Sequence, residues 1–170
     1  MKYALVYGLI SGTIIILTMI AGFELTAPDS FTHTIWYGYL LMFVVLAFIF
    51  VGVKRYRDVE GGGVVRFWRA FGLGLGMAAV AGIAYVLIFE IYLAASDYRY
   101  LHEAVAKAET AADRAQIESL LFDPPMRMMF VFLEIFPPGF VVALFSAVLL
   151  RNPRLLPARA KGQNETKVFT

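Results

Sequence analysis

The 170-residue chain has no cysteine and only two histidines, His33 and His102. Without thiols there is no disulfide and no thiolate-held metal, so a metal would have to bind through oxygen or imidazole. Charge is scarce as well. Asp, Glu, Lys and Arg together make up 16% of the residues against 60% hydrophobic ones, and the mean hydropathy is +0.71. That balance excludes an ordinary soluble domain of this length and places the chain in a membrane. The long apolar runs also lack period-two alternation, which excludes barrel strands and leaves helices.

The few charges locate the spans, since about 20 mainly apolar residues cross the hydrocarbon core. Four segments qualify: about 3–23, 34–53, 70–95 and 128–150. The first two carry no charge, the third only Glu90 and the fourth only Glu134. A removable signal peptide competes for the first, but its run of 21 residues exceeds an h-region of roughly 7 to 15, so a retained helix is expected. The predicted fold is all-α: a polytopic membrane protein of four transmembrane helices plus one amphipathic extracytoplasmic helix. Residues 1–156 form a single transmembrane domain, and the polar residues 157–170 a disordered cytoplasmic tail.

Lys and Arg set the orientation. With four spans, both termini and the middle loop share one side, and that side collects eleven of the fifteen basic residues, from Lys2 through Arg57 to Lys167. The other side holds Arg99, Lys107, Arg114 and Arg127 with most carboxylates. The positive-inside rule then predicts a cytoplasmic (inner) membrane protein with both termini cytoplasmic. The overall charge of +2 averages these two faces and reads as topology; no nucleic acid partner is expected.

Small residues mark packing faces. Gly8 and Gly12 form a GxxxG pair in the first span, while Gly72, Gly76 and Gly82 lie in an alanine-rich third span, which is expected to be the central helix. Gly72, Gly74 and Gly76 resemble a nucleotide loop, but no strand precedes them and the surroundings are apolar. In the loop before them, Gly61 to Gly63 predict a turn, and Phe67, Trp68 and Arg69 an interfacial anchor. The segment 97–122 is rich in alanine and mixed charge. Leu101, Val105, Ala108, Ala112 and Ala115 give it a thin apolar stripe, and Asp123-Pro124-Pro125 ends it, so one helix is expected to rest on the bundle or membrane surface. A lid or docking role is its functional alternative.

The intramembrane carboxylates are the sharpest feature. Glu90 lies seven residues before Asp97, and Glu134 seven residues after Arg127. Taking those two charged residues as one boundary puts both glutamates about 10 Å below it. If the third and fourth spans are neighbours, the two form a protonatable pair, because two adjacent buried carboxylates resist double ionisation. The competing reading is that each is neutralised by a tyrosine, a backbone carbonyl or Arg127 and holds helices in register. Pro137, Pro138 and Gly139 predict a helix break that frees the carbonyls of Leu133 and Glu134.

Other chemistry is weaker. Glu24, His33, Glu90, Glu134 and His102 share a side, but no H-x-x-x-H or E-x-x-H spacing supports a metal site, and neither metal nor cofactor is expected. Ser11, Ser96, Ser119 and Ser146 have no accompanying histidine or elbow motif.

Three ordered blocks, KRYRDVEGGGVVRFWRAFGLGLGMA, YVLIFEIY and FLEIFPPGFVVALFSAVLLRN, together resemble the bacterial membrane proteins grouped as domain of unknown function 4199. They span about Lys54 to Asn152. The resemblance implies that Phe89, Glu90 and Tyr92 match one family motif, and Phe132 through Pro137 with Gly139 another. Pro138 departs from it, standing where an aliphatic residue is usual. The family implies four spans and no assigned activity. The leading expectation is a non-enzymatic packing or accessory subunit, in contact with the lipid bilayer and with a homo-oligomer or another membrane protein. A small proton-linked transporter or channel subunit using Glu90 and Glu134 is the alternative, and a membrane-embedded enzyme the third.

Overall fold

The computed structural model describes residues 2–26 and 35–152. His33, the start of the expected second span at Thr34 and the expected tail 157–170 lie outside the described residues. Six helices follow one another: α1 Lys2–Leu25, α2 Ile35–Val59, α3 Phe67–Ala95, α4 Arg99–Ala106, α5 Ala111–Leu121 and α6 Pro124–Leu150. No strand occurs among the described residues. The four long helices have 24, 25, 29 and 27 residues, and each is long and apolar enough to cross a membrane. At 1.5 Å per residue they measure about 36 to 44 Å, so their polar end turns reach past a core of about 30 Å.

The four spans form a ring. α1 and α6 occupy opposite corners without touching, each packs against both α2 and α3, and α2 meets α3 across the middle. The core between them holds Ile15, Ile16, Met42, Leu46, Ile49, Met77 and Ile135, all essentially inaccessible. Backbones approach closely where glycine leaves room. A β-carbon on Gly12 would sit 2.3 Å from the Ala81 carbonyl oxygen, and one on Gly8 2.7 Å from that of Met77, which presses α1 against α3. Gly82 receives the Phe132 ring in the same way. The other two expected packing glycines behave differently: Gly72 faces open space, and Gly76 makes only ordinary contact with Ala4. The close approaches in their place are at Gly74 against Ala143, Gly139 against Ala78 and Gly52 against Met77 and Tyr7. The three glycines of the G-x-G run, Gly72, Gly74 and Gly76, look alike in sequence, and only the direction each faces separates them.

Between α2 and α3, Gly62 and Gly63 take positive φ values of 60° and 88°, forming the expected turn. The expected interfacial group opens α3, where Phe67 packs on Trp68 and Phe71 at centroid distances of 5.2 and 5.8 Å while Trp68 stays 77% exposed.

The segment 97–122 is two short helices, not the expected one. α4 stops at Lys107, and α5 starts from Thr110, whose hydroxyl accepts a hydrogen bond from the Asp113 amide at 3.1 Å. Thr110-Ala-Ala-Asp113 is an N-terminal capping sequence, so a second helix begins there. The interruption also re-registers the apolar stripe. Leu101 is buried, Val105 and Ala108 are half-buried, and Ala112 and Ala115 are exposed, while α5 turns Ile117 and Leu120 inward instead.

Candidate functional site

Glu90 and Glu134 do not form a pair. The close approaches of Gly74 to Ala143 and of Ala78 to Gly139 fix the antiparallel register of α3 and α6, and extending it places Glu90 opposite Arg127. There the two form a bidentate ion pair, with Arg127 Nε donating to Oε1 at 2.8 Å and Nη2 to Oε2 at 2.6 Å. Arg127 Nη1 also donates to the Leu121 carbonyl at the end of α5, and the guanidinium stands 5.8 Å from the Tyr98 ring centre. The arginine side chain is only 3% exposed and that of Glu90 18%. One cation therefore holds α3, α5 and the N-terminal end of α6 together, with its donors distributed over a planar fork that suits a carboxylate.

Glu134 lies seven residues farther along α6, about 10 Å deeper than Arg127. The expected boundary, Arg127, lies inside the helix: α6 begins three residues earlier, with Asp123 at the N-cap and prolines at the first two helical positions. Asp-Pro-Pro is a helix start as much as a helix end, and reading it so would have placed Arg127 inside the span. Glu134 is exposed on the flank of the bundle and makes no hydrogen bond or ion pair among the described residues. The phenols of Tyr85 and Tyr100 lie within electrostatic reach of it. Burial first, and then the Glu134 charge, hold the Tyr100 phenol above its ordinary pKa. Tyr100 packs edge-on against Phe23 and Phe89 at 5.1 and 5.8 Å.

The expected helix break is not a break. α6 runs continuously through Pro137 and Pro138, with Pro138 and Gly139 buried and Pro137 exposed. The two prolines still remove the amide donors that Leu133 and Glu134 carbonyls would accept from. Contacts with α3 on either side, at Phe132 and Ala143, hold the segment helical, as neighbouring helices do for prolines in membranes.

A second cluster at the same end of the bundle has no counterpart in the sequence motifs. Tyr92 donates to Glu24 at 2.7 Å, and Arg99 of α4 pairs with the same carboxylate, linking α1, α3 and α4. The hydrogen bond to Glu24 raises the Arg99 guanidinium further above its ordinary range. The oxygen and imidazole residues on this side have other contacts: Glu24 and Glu90 engage arginines, and His102 packs on Phe122 at 5.1 Å. Among the described residues no group of three or more His, Cys, Asp or Glu is placed to hold a metal. At the opposite end, Lys54 and Arg57 both bond Asp58, at 2.6 and 2.8 Å, and the Arg57 side chain is fully buried.

Four long helices, each apolar enough to cross a membrane, define a polytopic α-helical membrane protein. Within that class, the chain belongs to the DUF4199 family, proteins of unknown function, whose family model matches residues 2–152. Neither the curated proteins nor the solved structures contain a match to it.

Proposed function

We propose that this protein acts by association, as a non-enzymatic packing or accessory subunit of a membrane assembly. The observation that carries this reading is the bidentate Glu90–Arg127 pair, because it removes one of the two carboxylates that a titrating intramembrane site would need. Glu90 is spent on holding helices together, and breaking the pair would leave a charge buried. The closed ring leaves function to the outward faces of the spans. Vesicles reconstituted with the protein are expected to show no proton-coupled flux, while gentle native extraction recovers it in a stoichiometric complex. Flux that is lost in Glu134→Gln would overturn the reading in favour of transport.

The proposed setting is the cytoplasmic membrane with both termini inside, supported by the basic residues around Lys54 to Arg69 and the acidic segment between α3 and α6. Since the chain has no cysteine, single thiols report sidedness cleanly. In intact cells a membrane-impermeant maleimide should label Ala112→Cys and spare Gly62→Cys; the reverse pattern would invert the topology.

A further inference from the structure

The flank of α6 that carries Glu134 is a continuous exposed stripe. Phe130, Glu134, Pro137, Val141, Phe145 and Val148 follow at intervals of four and three residues, which keeps them on one face of a helix. Every one of them is exposed, Phe130 by 49%, Phe145 by 63% and Val148 by 55%. α6 is also the least covered span, with 22% of its apolar stretch buried against 44% in α3. Lipid suits the apolar members of this stripe. It does not suit Glu134, which stands three residues from the middle of the 27-residue helix and so near the centre of the bilayer, where a carboxyl group without a partner is costly.

Among the described residues no cation pairs with Glu134. Arg127 is committed to Glu90, α2 has no charged residue before Lys54, and the ionisable residues of α5 lie in the water-facing segment. Tyr85 of α3 and Tyr100 of α4 are the groups that face it electrostatically, and neither forms a hydrogen bond with it. A well-attested use of a polar residue alone in an apolar helical seam is to specify register and partner number by meeting its own counterpart.

We infer that the Glu134 face of α6 is the contact between two copies of this chain. Copies inserted in the same direction are related by a twofold axis along the membrane normal, which brings equivalent positions of α6 together. The two Glu134 carboxyl groups then hydrogen-bond to each other, one donating and one accepting, with Phe130, Val141 and Phe145 packing above and below. This rests on the association reading and names its partner.

The test uses full-length protein in membranes, with one introduced cysteine per variant. Oxidative cross-linking should join Val141→Cys to itself, and Phe145→Cys likewise, at least about tenfold more than Leu17→Cys on α1 or Leu87→Cys on α3, which are 54% and 57% exposed. Glu134→Leu added to Val141→Cys should cut the yield several-fold, whereas Glu134→Gln, which can still pair through its amide, should preserve most of it. Equal cross-linking at the control positions, or a yield insensitive to Glu134→Leu, overturns the inference and leaves the stripe to lipid. Cross-linking of the α6 positions to a different membrane protein also overturns it, yet leaves the association reading standing. A protein that extracts alone and cross-links to nothing defeats both.

Discussion

Arg127→Ala is expected to destabilise the protein by about 3 kcal/mol or more, the scale for stripping one partner from a buried ion pair. The arginine is 3% exposed, and its removal leaves Glu90 facing an apolar gap and the Leu121 carbonyl without its donor. Lost packing of the arginine stem adds to the electrostatic loss. Thermal unfolding in a mild detergent measures the effect directly. The double variant Glu90→Leu with Arg127→Met should recover most of the loss, because apolar residues of similar volume remove both charges together. A single variant close to native stability would show that the pair is not a fastener and would reopen Glu90 as a functional carboxylate.

Gly12→Ala is the second change with a large expected effect. The added carbon would fall 2.3 Å from the carbonyl oxygen of Ala81 and 3.0 Å from its α-carbon, and a backbone cannot turn aside as a side chain does. α1 must move off α3, at a cost of about 1–3 kcal/mol. Gly72→Ala serves as the opposite control, since nothing lies within 4 Å of its added carbon. There the substitution should be neutral or stabilising by up to about 1 kcal/mol, as alanine replaces glycine within a helix. Melting temperatures of the two variants should therefore shift in different directions or at least by very different amounts. Equal losses would mean that close approach at Gly12 does not govern the α1–α3 contact.

Both predictions depend on helix faces and register, and those were only partly legible beforehand. Gly8, Gly12 and Gly82 were singled out by composition and do sit at close approaches, but Gly72 was singled out by the same signal and faces open space. The difference is the direction each faces around its helix axis, which a list of small residues does not contain. Likewise, Glu90 and Glu134 were set level by counting from Asp97 and Arg127. The count failed because Arg127 lies inside α6, and its long side chain reaches the carboxylate opposite it. The outer helix was expected whole because its alanines favour continuation, whereas the Thr110 cap starts a new helix within it.

What the sequence determined by itself was the set of four apolar helices. Backbone groups in lipid must be satisfied within each segment, so about 20 apolar residues between charges leave no other structure. Four such runs are present, and they are the four long helices. The tertiary structure alone decided which polar groups meet. A 10 Å shift of register between α3 and α6 leaves the hydropathy of both helices unchanged, so hydropathy cannot choose between a carboxylate pair and an ion pair. Interlocking small residues choose it, with Gly74 against Ala143 and Gly139 against Ala78. That register gives Glu90 to Arg127 and leaves Glu134 on the outside of the bundle.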